Sequence, residues 1–202
     1  MMCKKLWTGV MGVAMLAGAS VSMAAGDAAA GKVKFFTCKG CHSIPGYTNA
    51  YPAYHVPKIG GQYEPYVISA LKAYKEGSRK HSSMHANAGT LSDQDMADIA
   101  AYLAGIEATG HEGPVTGDTK TGKQLAGKCA SCHGEDGNAP APNFPRLAGQ
   151  YESYLIKAIQ DYQSGKRNNP VMQSMVQGLS EDDIENLAAW YASQVGLSVL
   201  DQ

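Results

Sequence analysis

The chain reads as an all-α protein built from two tandem units, and three observations predict it. Apolar residues recur at helical spacing, strand signals are absent, and the second half repeats the first. GGQYEPYVISALKAY from Gly60 matches AGQYESYLIKAIQDY from Ala148 at an offset of 88 residues. The same offset of 88 carries TLSDQDMADIAAYLA at Thr90 onto GLSEDDIENLAAWYA at Gly178. Upstream of Pro57 and Pro145 the offset becomes 91, which aligns Asp27 with Asp118 and Gly31 with Gly122. The first copy therefore holds three extra residues ahead of its proline.

Taken in order, residues 1–24 are expected to be a signal peptide. Two lysines within residues 1–5 precede an apolar stretch at 6–19, and Ser22 and Ala24 offer a small-residue cleavage site. A retained anchor is the alternative, but the stretch is short for a span and is broken by Gly and Thr. After Ala25 no apolar run is long enough to cross a bilayer, so the mature chain is expected to be exported to the periplasm without a membrane span. Cleavage would also remove Cys3, leaving four cysteines.

The first unit, residues 25–110, carries two helical stripes. Tyr66, Val67, Ala70, Leu71 and Tyr74 form one, and Met96, Ile99, Ala100 and Leu103 form the inner face of the last helix. Ser92 is the expected N-cap of that helix, with Asp95 three positions on. Residues 105–122 are rich in Gly and Thr, contain Pro114 and read as a linker, with the boundary near Gly110. The second unit, residues 111–202, repeats the stripes as Tyr154, Leu155, Ala158, Ile159 and Tyr162, then Ile184, Leu187, Ala188 and Tyr191 behind Ser180 and Asp183. In each unit the methionine-bearing segment, around Met84 or Met172, is expected to be an irregular loop.

Charge excludes one function class. Residues 25–110 hold 8 basic and 7 acidic side chains, and residues 111–202 hold 7 and 11. No basic stripe is present, so nucleic acid is not an expected partner.

The four remaining cysteines all lie in CKGCH (Cys38, Cys41, His42) and CASCH (Cys129, Cys132, His133). A redox dithiol would sit between a strand and a helix, and no strand precedes either motif. A zinc site would want CxxC pairs about 15–20 residues apart, whereas these lie 91 apart in separate repeats. Two thiols spaced to meet two vinyl groups, followed by a histidine that can reach iron, suit covalent haem attachment. Two covalently bound haem c groups are therefore expected. Their macrocycles would supply apolar surface that units of about 85 residues lack.

Met84 and Met172 each stand seven residues before a leucine, Leu91 and Leu179, and suit the sixth position on each iron. Met175 competes with Met172, but the repeat register sets Met172 on Met84 and Met175 on Asn87. His81 and His85 are not reproduced in the second copy, where Asn169 and Gln173 stand, and His55 and His111 fall in the insertion and the linker. Surface or packing roles are expected for all four.

With both CxxCH units, the G-Q-Y helices, the loop methionines and the paired LS-[DE]-[QD]-D segments, the sequence resembles the dihaem cytochromes c of the c4 type over essentially the whole mature chain. That resemblance implies two class I cytochrome c folds packed with their haem propionate edges towards the interface. It implies iron ligation by His42 with Met84 and by His133 with Met172, each histidine being oriented by the backbone carbonyl of Pro57 or Pro145. Arg79 and Arg167 would approach the propionates or the interface, with a plain solvent-exposed arginine an equal alternative. The resemblance further implies an electron carrier rather than an enzyme, with redox protein partners such as a membrane-bound terminal oxidase. A cytochrome subunit of a dehydrogenase acting on sulfide or thiosulfate is the alternative, and its haem chemistry would look the same. The first copy departs from the pattern in its insertion with Tyr47, Tyr51, Tyr54 and His55, which would pack, shield a haem edge or dock a partner.

Overall fold

The computed structural model describes residues 25–109 and 114–200. The signal peptide expected at 1–24, with Cys3, and the domain boundary near Gly110 with His111 lie outside the described residues. The fold is all-α: helices α1 (Ala28–Lys34), α2 (Phe36–His42), α3 (Glu64–Glu76), α4 (Ser82–Gly89) and α5 (Asp93–Ala104) make the first half. The second half holds α6 (Thr119–Ala126), α7 (Ala130–His133), α8 (Glu152–Gln163), α9 (Pro170–Val176) and α10 (Glu181–Ala192). Among the described residues β-pairing is confined to isolated bridges.

Each half is organised by the crossing of its first and last helices. A β-carbon at Gly31 would lie 1.9 Å from the Asp98 carbonyl oxygen, and one at Gly122 would lie 1.9 Å from that of Asn186. Only glycine lets the two backbones approach so closely. Asp27 and Asp118 cap α1 and α6 through their side chains. Both capping boxes expected at the last helices are present, Ser92 with Asp95 on α5 and Ser180 with Asp183 on α10. The stripes close two cores, one around Val67, Ile99 and Leu103 and one around Leu155, Leu187 and Tyr191.

The segments around Met84 and Met172 depart from expectation, because they are helices rather than irregular loops. His81 Nδ1 accepts the Met84 N–H at 3.2 Å, and Asn169 Oδ1 accepts the Met172 N–H at 3.0 Å. Each N-cap satisfies a backbone donor that would otherwise be orphaned. Pro170 takes the first position of α9, where its fixed φ helps and its missing N–H costs nothing. Polar composition hid α4 (SSMHANAG), and α9 (PVMQSMV) escaped because its apolar residues span only about two turns behind a proline.

The two halves are joined by the chain's last residues. Gly196 pairs with Thr109 and Ser198 with Gly60 in antiparallel bridges. Beyond them Leu200, only 2 % exposed, inserts into the first core beside Phe35 and Leu103. Burying a leucine of the second half in the core of the first contributes roughly 1.5–3 kcal/mol of apolar transfer and ties the halves together.

Candidate haem sites and the interface between them

His42 ends α2 and His133 ends α7, and each ring is fixed by a backbone carbonyl. The distance from Nδ1 to the Pro57 oxygen is 3.0 Å for His42, and from Nδ1 to the Pro145 oxygen 3.0 Å for His133. A carbonyl can only accept, so Nδ1 carries the proton and Nε2 keeps its lone pair. Burial pushes both imidazoles below the ordinary histidine pKa, against the opposing pull of the proline carbonyl. The four thiols of Cys38, Cys41, Cys129 and Cys132 are free of disulfides, and Cys41 is exposed. Burial pushes the Cys38 and Cys129 thiols up. Among the described residues no three His, Cys, Asp or Glu side chains converge as a metal cluster.

Met84 and Met172 occupy the same third position of α4 and α9 and are half-buried, whereas Met175 is 45 % exposed. The other described histidines are engaged elsewhere. His81 Nε2 lies 3.1 Å from the Tyr54 hydroxyl, and His85 Nδ1 lies 2.8 Å from the Tyr74 carbonyl. His55 stacks on Tyr151 at 4.7 Å and meets Ser153 Oγ at 2.8 Å, both in the second half. The tyrosine-rich insertion thus packs across the interface, where Gly46 N–H also donates to the Tyr151 hydroxyl at 2.9 Å. Tyr51 stands clear at 96 % exposure, and Tyr47 is exposed as well.

Arg167 is buried and Arg79 half-buried at the interface, so of the two readings the sequence left open the interface one holds. Their backbones pair in an antiparallel bridge, and both guanidiniums donate to the Tyr154 hydroxyl, at 2.6 and 2.8 Å. Burial pushes the Tyr154 phenol up, but the two guanidiniums outweigh it and bring it down to about 8. Among the described residues neither guanidinium has a carboxylate within ion-pair distance, and Arg79 Nε is a buried donor with no partner. A buried and a half-buried cation balanced only by phenols are costly unless anions complete the cluster. Haem carboxylates turned towards this interface fit that requirement. Together with neutral, oriented imidazoles and free thiol pairs, the chain's residues suit the group.

Sequence reasoning missed Gln62, Gln150, Arg146 and Tyr154. Gln62 and Gln150 hold backbone of the opposite half, Arg146 reaches Gly61 O at 2.6 Å, and Tyr154 receives both central arginines. For the two glutamines the one visible signal was the G-Q-Y identity of the two copies, which marks a repeated environment without saying which half supplies it.

Comparisons with known proteins point the same way. The cytochrome c family model matches residues 28–107 and again residues 119–194. Cytochrome c4 of Pseudomonas aeruginosa is 37 % identical over 180 residues, covering 83 % of this chain and 88 % of that protein. The crystal structure of reduced recombinant cytochrome c4 from Pseudomonas stutzeri superposes with a TM-score of 0.70 at 31 % identity, covering 84 % of this chain and all of that one. A thiosulfate dehydrogenase electron acceptor of Thiomonas intermedia is 28 % identical, covering 78 % of each chain. Two matched regions, two CxxCH histidines held by proline carbonyls and a shared cationic interface place this chain in the cytochrome c family, as an electron-transfer protein of the c4 type with two covalently bound haem c groups.

Proposed function

We propose that the protein is a periplasmic dihaem relay, taking electrons from a respiratory donor and passing them to an acceptor such as a terminal oxidase. The two domains are residues 25–110 and 111–202, behind a cleaved signal peptide at 1–24. Cys38 and Cys41 attach one haem and Cys129 and Cys132 the other. His42 with Met84 and His133 with Met172 hold the irons. Each bound haem would supply a one-electron Fe(III)/Fe(II) couple, and ligation by a methionine together with the histidine would raise its potential. The chain's own part is orientation and electrostatics. Pro57 and Pro145 fix the imidazole tautomer, His81 and Asn169 set the methionine helices, and Arg79 with Arg167 balances the carboxylates between the centres. The observation that carries the relay reading is this interface, which brings both halves onto one buried cationic cluster.

A second reading makes the protein the dedicated acceptor of a dehydrogenase. The similarity to the thiosulfate dehydrogenase electron acceptor supports it. One experiment separates the two. Fully reduced protein mixed with oxidase-containing membranes of the source organism should reoxidise in a cyanide-sensitive reaction. Failure to reoxidise, together with a catalytic subunit that co-purifies stably, would establish the second reading instead.

A further inference from the structure

Gln62 and Gln150 reach into the opposite domain and grip the same peptide unit that orients its histidine. The amide joining Pro57 to Lys58 meets His42 Nδ1 on its carbonyl side at 3.0 Å. On its N–H side it donates to Gln150 Oε1 at 2.9 Å, and Gln150 Nε2 closes the pair on the Lys58 carbonyl at 2.8 Å. The other domain mirrors this. The amide joining Pro145 to Arg146 meets His133 Nδ1 at 3.0 Å, donates to Gln62 Oε1 at 2.9 Å, and Gln62 Nε2 reaches the Arg146 carbonyl at 3.0 Å. Each Oε1 also accepts the following backbone N–H, from Tyr63 or Tyr151, at 3.0 Å. With two donors on one atom, neither side-chain amide can flip. Both glutamines are buried, at 5 and 4 % exposure.

We propose that Gln62 and Gln150 are positioning residues that tune the haem of the other domain, through a hydrogen-bonded relay running glutamine, peptide unit, proximal histidine. This rests on the reading of His42 and His133 as iron ligands. An amide is conjugated, so an acceptor on its N–H places more negative charge on its oxygen, and a chain of such bonds polarises along its length. The proline oxygen then draws harder on the Nδ1 proton. The imidazole becomes a stronger electron donor at Nε2, which favours the oxidised iron. Removing the glutamine acceptor weakens this pull. A plain interface staple would need the same two bonds to the backbone. It would not require that the gripped amide be the one whose carbonyl orients the histidine, in both domains.

The test is a redox titration of the whole dihaem protein followed by NMR, with haem methyl signals assigned to each domain. Gln150→Met, which keeps length and removes both hydrogen bonds, should raise the potential of the first-domain centre and leave the second nearly unmoved. Gln62→Met should do the reverse. Shifts that are equal in both centres, or that follow the glutamine's own domain, would overturn the proposal and leave only packing. The red sulfur-to-iron absorption band is recorded on the same samples. Its absence from the unmodified protein would overturn the ligand reading and this one with it, whereas intact bands with uncrossed shifts overturn this one alone. If the methionine variants fail to fold, the isotope-labelled, fully reduced natural protein serves. A scalar coupling across the hydrogen bond between the Lys58 nitrogen and the Gln150 side-chain carbonyl carbon is expected, and its absence overturns the proposal.

Discussion

The two domains share a framework and differ in the local devices that hold it. In the second, Asn186 Oδ1 accepts the N–H of the capping residue Asp118 at 2.7 Å. In the first, Asp98 does the same for Asp27 at 2.9 Å, but as a carboxylate paired with Lys34. Leu125 takes the place of that lysine in the second domain and joins its core. The methionine helices differ likewise. His81 caps the first while leaning on Tyr54 from the insertion, and Asn169 caps the second by itself. A position that must supply an acceptor can be filled by any acceptor of the right reach, charged or neutral. The reciprocal glutamine contacts admit less freedom, because each must match backbone in the other domain. The two glutamines are therefore identical in both copies, although other interface positions differ, Lys58 standing where the second copy has Arg146 and the first copy's insertion packing across the same interface.

The methionines offer the largest effect with which to break the comparison. Met172→Ala should remove the red sulfur-to-iron band of one centre and lower its potential, as Met84→Ala should for the other. Met175→Ala should leave the band in place. The opposite pattern in the oxidised spectrum would show that the repeat register slips in α9.

Leu200→Ala sharpens the comparison by crossing it. Deleting this side chain from the first core should cost about 2–4 kcal/mol. Denaturant unfolding should show the loss in the first domain, although the residue belongs to the second half of the chain. A loss confined to the second domain would refute the insertion as a source of stability.

Acid should separate the domains next. The hydrogen bond from the Asp27 N–H, then Lys34 and Gln94, holds the Asp98 carboxyl down from 3.8 to about 2. A depressed folded pKa contributes stability in full above the ordinary carboxylate range, and the contribution is lost as pH falls through about 2. Asp95, bonded to Lys34 and Ser92, is held down in the same way. Urea midpoints of the first domain should therefore fall between pH 4 and pH 2, the interval between those two values. Asp98→Asn, imitating Asn186, should flatten that slope, and an unchanged slope would remove Asp98 from the account.

The smallest effect concerns the caps. His81→Asn transplants the second domain's solution into the first and should change stability by no more than about 0.5 kcal/mol, whereas His81→Ala should cost about 1 kcal/mol. Equal losses in thermal unfolding would mean that the Tyr54 contact matters more than the cap.

What the sequence determined by itself was everything carried by spacing along the chain. Helical stripes, capping boxes at Ser92 and Ser180, the repeat, the two CxxCH motifs and the glycines at 31 and 122 are local or periodic signals, and each was legible. The helices under Met84 and Met172 were not, because the first is polar and the second is only seven residues long, and a side-chain cap starts each. Tertiary structure alone decided that Arg79 and Arg167 pair across the interface on one tyrosine, and that Leu200 fills the other half's core. It also decided that Gln62 and Gln150 each hold the peptide beside the opposite histidine. The physical reason is distance along the chain. The glutamine contacts alone join residues 84 and 92 positions apart, and a polar side chain carries no mark of which backbone it will meet until the packed helices bring that backbone to it.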